Sequence, residues 1–304
     1  MHILIAGASG LIGKPLVSYL EKEHQLTVLG RDINTLISIF PPNIQKITWD
    51  NLPNHKAKPY GLVINLSGAS IGERRWNSAV KNTLMQSRLS TNKMLVDWIM
   101  HQNVQPRFFC ANAIGIYGTQ ETSSQQVDED SPLPLVANGF LQEIGLAWER
   151  SLHTAHDKGI PVTTLRFGVV LKKGEGMLKK LEFPFRLGLG SVIGSGNQIL
   201  SWVHYQDLVN AIAFLIANPQ LTGPINITSP YPVSQRSFAK RLASVLKRPL
   251  FIKMPARVVK LLFGEMGEEL LLKGQKVVPK RLAQAGFKFS YPDIVDALSK
   301  EYLA

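Results

Sequence analysis

The chain has 304 residues, 45% of them hydrophobic and 18% charged, with 24 glycines and 18 prolines. This composition supports a sizeable core and excludes a disordered or fibrous chain, and the length fits one large α/β domain or two ordinary ones. The single cysteine, Cys110, excludes an internal disulfide framework. The net charge of +12 would by itself suit a nucleic acid or an acidic membrane as partner.

Short apolar runs alternate with segments of helical periodicity over the first 175 residues. Such runs are typical of buried parallel strands, and apolar spacings of three and four indicate helices. This alternation predicts an α/β fold, a Rossmann-type doubly wound parallel sheet with right-handed crossovers. The predicted order is strand 2–6, helix 12–23, strand 26–29, strand 44–49, strand 61–66, helix 77–102, strand 107–111, helix 139–158 and strand 162–171.

The pattern loosens after residue 175, where residues 180–200 are rich in glycine and proline. We assign residues 1–175, together with about 201–229, to a cofactor-binding Rossmann domain. Residues 176–200 and 230–304 would form a smaller α/β lobe on the substrate side. Further predicted elements are a loop at 123–126, helix 207–217, strand 225–227, and helices 235–247 and 255–272.

A glycine-rich turn joins the first strand to the first helix and spells G-x-x-G-x-x-G. This strand–turn–helix context is the one that a dinucleotide-binding fingerprint requires. The first glycine allows a tight turn, the second lets the backbone approach a pyrophosphate, and the third lets helix and strand pack closely. The helix N-terminus offers N–H groups to the phosphates; an ordinary glycine turn is the alternative. The predicted cofactor contacts are Gly7, Ser9, Gly10, Leu11, Ile12 and Gly13.

The end of the second strand selects between NAD and NADP. An NAD enzyme usually carries Asp or Glu there to accept a hydrogen bond from the ribose 2′-OH, whereas this chain has Gly30 followed by Arg31. An arginine matches a 2′-phosphate and can stack on adenine, so we predict NADP as cofactor. The nearby Asp32 keeps NAD as the alternative, and a solvated surface charge is the alternative role of Arg31.

Further motifs resemble those of the extended short-chain dehydrogenase/reductase superfamily, which includes nucleotide-sugar epimerases. The turn 7–13 resembles its cofactor turn, and segments 65–68 and 116–118 resemble its fourth-strand motif and its Val-Tyr-Gly motif. A narrower resemblance, to the epimerase family proteins with their C-terminal domain of uncharacterised role, extends over the whole chain. Its matching segments are 75–76, 87–88, 148–149, 168–171, 185–190, 194–196, 201–207, 264–265, 274–279 and 286–292.

The resemblance implies cofactor contacts beyond the glycine turn. Leu66, Ser67 and Gly68 would line the adenine and its ribose, and Val169 would lie beside the cofactor. Arg88 stands on the long helix where the superfamily often has asparagine near the nicotinamide ribose. A buried arginine there would bind a cofactor phosphate or a substrate carboxylate, and solvent exposure is its alternative.

The catalytic Tyr-x-x-x-Lys pair of the superfamily is missing. That spacing places both side chains on one helix face, where lysine lowers the pKa of the tyrosine for proton transfer. The matching helix carries Phe140 and Ile144 instead, and Cys110 and Asn112 stand where the narrower family has serines. The remaining catalytic candidates are Tyr117 and Asn112. Packing against a helix and capping a turn are their respective alternatives.

Two smaller features point to structure and not to chemistry. The resembling families have a similar stretch to that containing His204 and Asp207, which begins a helix and ties the lobes together, so we predict a structural role for both residues. The remaining histidines do not cluster with cysteine or carboxylates at ligand spacing, so we expect no metal site.

The last quarter of the chain holds most of the excess charge, because residues 236–304 carry 14 basic and 6 acidic side chains. Basic and apolar residues alternate there, which is typical of amphipathic helices packed on a domain. We expect a solvated basic face or a field that steers an anionic substrate or cofactor. A membrane partner is not expected, and nucleic-acid association through this basic segment is the weakest alternative, because no nucleic-acid-binding motif is present.

The sequence therefore predicts a cytoplasmic NADP-dependent oxidoreductase or nucleotide-sugar epimerase-like protein that lacks the usual Tyr/Lys pair. The cytoplasmic prediction rests on the lack of a signal peptide and of an apolar run long enough to cross a membrane. The substrate would be an unidentified small molecule, and an anionic one fits the charge. The alternative is a non-catalytic NADP(H)-binding sensor or interaction protein.

Overall fold

The computed structural model describes residues 1–55, 59–102, 105–120 and 125–303. The helices are α1 (Gly13–Leu20), α2 (Ile33–Ile39), α3 (Ser78–Met100), α4 (Phe140–Arg150), α5 (His153–Asp157), α6 (Gly176–Arg186), α7 (Tyr205–Ala217), α8 (Gln235–Val245), α9 (Ala256–Gly267), α10 (Lys280–Gln284) and α11 (Ile294–Leu303). The strands are β1 (His2–Ala6), β2 (Gln25–Gly30), β3 (Gln45–Thr48), β4 (Leu62–Asn65), β5 (Arg107–Ala113), β6 (Gln126–Val127), β7 (Val162–Phe167), β8 (Val169–Leu171), β9 (Ser191–Ile193), β10 (Ile199–Leu200), β11 (Trp202–His204), β12 (Gly223–Ile227), β13 (Val233–Ser234), β14 (Ile252–Met254) and β15 (Lys276–Val277).

Seven of the described strands form one parallel sheet in the order β12-β7-β5-β4-β1-β2-β3. The strands β1, β4 and β7 are buried almost along their whole length. In β1 and β4 this agrees with their mainly apolar sequences, whereas β7 also buries Thr163, Thr164 and Arg166. The strand order reverses between β1 and β4, because β2 and β3 lie on one side of β1 and the later strands on the other. The predicted Rossmann-type fold is confirmed. Doubly wound sheets bind ligands at the carboxyl ends of the strands at such a reversal.

The later part of the chain builds small sheets around this core. The pairs β8–β11, β9–β14 and β6–β15 are parallel, and β10–β13 is antiparallel. A second apolar cluster includes Leu178, Trp202, Phe238 and Leu298, while Leu282 of the C-terminal segment belongs to the main cluster. The C-terminal segment thus packs against both clusters, and the predicted two-domain division stays a prediction.

Three predicted elements are longer than the elements that the structure shows, because the backbone interrupts each of them. The helix predicted at 139–158 is two helices, because α4 ends at Arg150 and α5 begins at His153. The strand predicted at 162–171 is interrupted at Gly168, where β8 leaves the main sheet to pair with β11. The helix predicted at 255–272 has non-helical backbone at Gly264 and continues as a π-helical turn, Glu268–Leu272.

Other elements escaped the sequence patterns. Helix α6 lies in the stretch where the pattern loosens, and α11 was not predicted at all. Part of the loop predicted at 123–126 is β6, which owes its conformation to pairing with the distant β15; residues 123–124 lie outside the described residues. Pairing between segments remote in sequence leaves no local periodicity to recognise.

Candidate cofactor site

The glycine turn after β1 lies against the end of β4. Gly7 has a φ of +76°, and a Cβ there would lie 2.7 Å from the carbonyl carbon of Leu66. A Cβ on Gly13 would lie 2.4 Å from the carbonyl oxygen of Ala8, so α1 packs directly on the turn. Gly10 is exposed, and a Cβ there would meet only the Gly7 carbonyl oxygen at 3.3 Å. The environments of Gly7 and Gly13 match the tight turn and the close packing predicted for them, and the approach of a pyrophosphate to Gly10 stays a prediction.

The N-terminus of α1 is open to a ligand. The position before the helix is Ile12, and no side chain caps the helix there. Ser9 is exposed, while Leu11 and Ile12 are half-buried. The amides of Lys14 and Leu16 donate to the carbonyls of Gly10 and Ile12, and the helix dipole favours an anion at this end.

A buried polar network holds the neighbouring turn after β4. The Asn65 side chain accepts from the Ser67 amide at 3.0 Å and donates to the Asn92 side chain at 2.7 Å. The Leu66 amide donates to the carbonyl of Ala6 at 2.9 Å. The two turns that end β1 and β4 are thus fixed to each other. The sequence pattern did not reveal the part played by Asn92, because its partner lies on another element.

Arg88 of α3 lies beneath this second turn, and a Cβ on Gly68 would come within 3.2 Å of the guanidinium carbon. The residue is 8% exposed, so the solvent-exposed alternative is wrong. Its guanidinium donates to the carbonyls of Leu84 at 2.8 Å and Ala69 at 3.1 Å and lies 4.8 Å from the ring centroid of Trp148.

Arg88 keeps an uncompensated charge. Burial lowers its pKa to about 10, which still leaves the side chain protonated at neutral pH. No carboxylate of the described residues pairs with it. A buried cation that bonds only to neutral groups is a ready receptor for an anionic oxygen.

At the end of β2 the two neighbouring charged residues, Arg31 and Asp32, have different surroundings. Arg31 is exposed after the strand. Asp32 caps α2, because its carboxylate accepts from the Asn34 amide at 3.2 Å and from the Thr35 amide at 2.9 Å. The hydrogen bond from the Thr35 hydroxyl, followed by those from the two amides, holds the pKa of Asp32 below its ordinary value. Both carboxylate oxygens of Asp32 therefore accept hydrogen bonds from α2. The exposed guanidinium of Arg31 remains accessible to an anionic ligand.

Asn112 and Tyr117 belong to one chain of polar contacts. The Asn112 amide donates to Glu149 at 2.9 Å, and Glu149 forms an ion pair with Arg166 at 2.8 Å. Arg166 donates to the Tyr117 hydroxyl at 2.8 Å, and that hydroxyl donates to Asn226 at 2.8 Å. Arg166 lies on β7 and Asn226 on β12, so the chain runs away from the β1–β4 reversal.

In these contacts the side chains of Asn112 and Tyr117 hydrogen-bond to neighbouring residues of the protein. The Asn112 side chain also donates to the carbonyl of Gly145 and accepts from the Ala113 amide, so both ends of its amide are engaged. Burial raises the pKa of Tyr117 above its ordinary value despite the nearby Arg166. A phenol that holds its proton more tightly is poorly matched to proton transfer near neutral pH. Arg166 was not predicted as part of the site, although an arginine inside a predicted buried strand is a signal visible in the sequence.

The positions of the missing pair lie in apolar surroundings. Phe140 and Ile144 are 3% and 4% exposed and belong to a cluster with Trp76 and Met266. The rings of Phe140 and Trp76 meet edge to face at 5.0 Å. A nearby amine, that of Lys81, forms an ion pair with a glutamate and lies 5.0 Å from the Phe140 ring centroid. The structure thus packs Phe140 and Ile144 in an apolar cluster, and their correspondence to the Tyr/Lys pair stays a prediction.

A carboxylate of the C-terminal part caps the same helix. Glu269 is 6% exposed and accepts from the Phe140 amide at 2.7 Å and the Leu141 amide at 2.8 Å. Gly139 precedes the helix with a φ of +107°, and a Cβ there would lie 2.6 Å from a Glu269 oxygen. Sequence reasoning missed this contact because a distant residue supplies the cap.

The remaining predicted residues lie at the border with the later part of the chain. Val169 on β8 is half-buried, packs against the second apolar cluster and pairs with Trp202. Gly176, at the start of α6, comes so close to Leu11 that a Cβ would lie 2.9 Å from its side chain. The start of α6 therefore adjoins the glycine turn, and the contact of Val169 with a cofactor stays a prediction.

His204 and Asp207 have the structural role that was predicted. His204 caps α7 by accepting from the Gln206 amide, and its other ring nitrogen lies 3.0 Å from Glu301. Asp207 accepts from the amides of Ser290 at 2.7 Å and Tyr291 at 2.8 Å.

Among residues 1–55, 59–102, 105–120 and 125–303, no group of three His, Cys, Asp or Glu side chains could hold a metal ion. In the same part of the chain, none of the helices has both the length and the apolar character needed to cross a bilayer.

The sheet order and the glycine turn define a Rossmann-type α/β protein. The model of the NAD dependent epimerase/dehydratase family matches residues 3–228, and a domain of unknown function, DUF1731, matches residues 254–301. The chain belongs to this epimerase/dehydratase family. The predicted resemblance to the epimerase family proteins and their additional C-terminal domain is thereby confirmed.

Individual relatives extend over the whole chain. An epimerase family protein of Mycobacterium bovis is 35% identical over 301 residues, which cover 97% of this chain and 96% of that protein. The epimerase family protein SDR39U1 of Bos taurus is 33% identical over 311 residues and is covered completely, as is this chain. A crystal structure of the human epimerase family protein SDR39U1 (isoform2) with NADPH matches with a TM-score of 0.88 and 29% identity, covering 100% of this chain and 99% of that chain.

Proposed function

We propose that this protein binds NADP(H) in the crevice between the ends of β1 and β4. The observation that carries the proposal is the glycine turn, where Gly7 and Gly13 leave no room for a side chain and α1 begins without a cap. This arrangement fits a pyrophosphate at the helix N-terminus. The human relative that shares the fold over the whole chain was crystallised with NADPH.

The preference for NADP over NAD rests on the end of β2. Asp32 is occupied as the cap of α2, and the exposed Arg31 remains to meet a 2′-phosphate. The carboxylate that kept NAD as the alternative is therefore unavailable in this conformation. The uncompensated Arg88 would hold a further anionic oxygen of the cofactor or of a small anionic substrate.

The proposed activity is that of an epimerase-like oxidoreductase. The nicotinamide, when bound, would supply hydride transfer. The residues of this chain would position the cofactor and hold the anionic part of the substrate through Arg88. Neither Phe140 nor Ile144 exchanges a proton, so a proton donor has to come from elsewhere.

A second candidate function is that of a non-catalytic NADP(H) sensor. The apolar cluster around Phe140 and Trp76 favours it, because the cluster fills with packed rings the place where the superfamily has its catalytic pair. In this case the protein would keep the cofactor site and respond to its occupancy. The proposed cytoplasmic location suits either candidate.

Titration of the purified protein with NADPH and NADH, followed by nicotinamide fluorescence, tests the cofactor. We expect NADPH to bind more tightly, and a lack of binding at millimolar concentrations would refute the proposal. Oxidation of bound NADPH across a panel of carbonyl compounds and sugar nucleotides then separates the two candidates. Oxidation of NADPH by any of these compounds supports the oxidoreductase. Tight NADPH binding without oxidation by any of them supports the sensor.

A further inference from the structure

One stretch of the C-terminal part combines strong positive charge with exposed apolar side chains. Residues 236–264 contain eight Lys or Arg residues and no Asp or Glu. The sequence predicted that the apolar residues there would be packed, and Leu242 of α8 is indeed fully buried. On α9, however, Val258, Leu261 and Leu262 are 39%, 75% and 54% exposed. Their spacing of three and four places them on one face of the helix.

A second group of exposed apolar residues adjoins the start of α9. Phe251 is 89% exposed immediately before β14, and Leu187 is 58% exposed just after α6. The two segments are held together, because β14 pairs with β9 and the Arg248 side chain donates to the carbonyl of Arg186 at 2.7 Å. We call Leu187, Arg248, Phe251, Lys253, Arg257 and Leu261 the basic apolar surface.

The positive charge of this surface is not neutralised within the protein. Arg186 pairs with a glutamate on its own helix, and Lys260 pairs with Glu268. By contrast, Arg248, Lys253 and Arg257 form no ion pair with any described residue. The surface therefore calls for an anionic partner that also accepts apolar side chains.

An anionic lipid bilayer has this combination of properties. Exposed aromatic and aliphatic side chains enter the boundary between headgroups and acyl chains, while Lys and Arg contact anionic headgroups. The long stems of the basic residues can lie along the apolar layer with their charges in water. A nucleic acid offers the charge but an interface that is far more polar.

We propose that the basic apolar surface docks this protein peripherally on a membrane that contains anionic lipids. The sequence predicted no membrane partner because no apolar run is long enough to cross a bilayer, and peripheral docking needs no such run. The apolar residues of α9 were expected to be packed, whereas Val258, Leu261 and Leu262 are exposed. The proposal is independent of the proposed cofactor. It concerns a face of the molecule and involves no segment that crosses the bilayer.

Sedimentation of the full-length protein with vesicles tests the proposal. We expect binding to phosphatidylcholine vesicles that contain phosphatidylglycerol, weaker binding to pure phosphatidylcholine, and release by salt. The double variant Lys253→Glu/Arg257→Glu should bind at least about tenfold more weakly, because each basic residue near an anionic surface contributes about fivefold. The variant Phe251→Ser should also bind more weakly without a change in charge.

Matched variants keep the test specific. Lys22→Glu/Lys158→Glu changes the net charge equally at exposed positions elsewhere, and Leu135→Ser removes an apolar side chain that is 90% exposed. Both should bind vesicles like the unmodified protein. Circular dichroism spectra that match the unmodified protein establish that each variant is folded.

Four outcomes would overturn the proposal. These are a lack of vesicle binding at low salt, equal binding to both vesicle types, equal losses in the control variants, and competition by duplex DNA at comparable concentration. A concentration-dependent dimer that Phe251→Ser abolishes, without vesicle binding, would instead identify the surface as a contact between two copies of the chain.

Discussion

Arg31 and Asp32 are neighbours in sequence, but Asp32 caps α2 whereas Arg31 is exposed. The preference for NADPH over NADH should therefore depend on Arg31 alone. Replacing Arg31 with alanine removes the exposed cation at the end of β2. We expect the affinity for NADPH to fall about tenfold and that for NADH to stay the same, because a charge-assisted hydrogen bond contributes about 1.5–3 kcal/mol. Fluorescence titration with both cofactors measures the ratio.

The variant Asp32→Asn serves as the comparison. Asparagine is also a good N-cap, so α2 should persist and the preference for NADPH should not change. A shift of the preference towards NADPH in this variant would show that the carboxylate contacts the ribose, contrary to its position as a cap.

Tyr117 should contribute a pH-dependent part of the stability. Its folded pKa is raised above the ordinary value of 10.0, chiefly by burial. The unfolded chain therefore loses this proton first, so the stabilisation is complete below about pH 10 and is lost as the pH rises through the folded pKa. We expect Tyr117→Phe to lower the free energy of unfolding by about 1–3 kcal/mol at neutral pH, because two hydrogen bonds are lost.

Urea unfolding of both proteins between neutral and alkaline pH checks this linkage. The difference between Tyr117→Phe and the unmodified protein should shrink as the pH rises above the ordinary value of the phenol. A difference that stays constant or grows would contradict a raised pKa. If the protein has a turnover activity, that activity should survive the substitution, because the Tyr117 hydroxyl accepts a hydrogen bond from Arg166 and donates one to Asn226.

Residue-level prediction from the sequence succeeded where a motif specifies backbone geometry. The positions of Gly7 and Gly13 follow from the requirement for a turn without side chains. For Arg88 the sequence left burial and exposure open, because the choice depends on Gly68 and Trp148, which come from other elements. Asn112 and Tyr117 looked like free polar groups only as long as Arg166 and Glu149 were not placed beside them.

At the scale of one element, substitutions at different glycines of the turn should affect protein stability and cofactor affinity separately. Gly13→Ala would place a Cβ 2.4 Å from the carbonyl oxygen of Ala8, so α1 must move away from the glycine turn. We expect a loss of about 1–3 kcal/mol in the free energy of unfolding, the usual cost of overpacking. Chemical denaturation measures this loss.

Gly10→Ala is the matched substitution in the same turn. Its Cβ would meet only one atom, at 3.3 Å, and would point into the exposed region where a pyrophosphate would lie. This variant should lose less stability than Gly13→Ala yet bind NADPH at least about tenfold more weakly. Equal cofactor binding by Gly10→Ala would show that no phosphate approaches the turn.

Elements were predictable from sequence where their own side chains determine them. The strands β1, β4 and β5 contain short apolar runs and were predicted, as was the long helix α3. The short strands β6 and β8 exist because β15 and β11 pair with them, and neither carries a local pattern. The exposed apolar face of α9 shows the reverse problem, because an amphipathic pattern indicates a face without indicating what covers it.

On the scale of the whole molecule, the sequence indicated two parts but not how firmly they are joined. Ser201 accepts from the amide of Val277 and donates to the carbonyl of Gln275. Glu129 accepts from the amides of Asn226 and Lys280. These contacts join residues far apart in the chain, which no single-sequence pattern could reveal. They lead us to expect that the two parts unfold together in one cooperative transition.

Glu269 provides a direct test of this coupling, because its carboxylate caps the helix α4 from the C-terminal part. Glu269→Ala removes the acceptor of the buried Phe140 amide and of the partly buried Leu141 amide, and it should lower the free energy of unfolding by about 1–3 kcal/mol. Glu268→Ala is the neighbouring control with the same change in charge. It removes surface ion pairs with Lys260 and Lys273, which together should contribute less than about 1 kcal/mol. Guanidinium unfolding followed by circular dichroism compares the three proteins, and an equal loss in both variants would mean that the Glu269 cap does not couple the C-terminal part to α4.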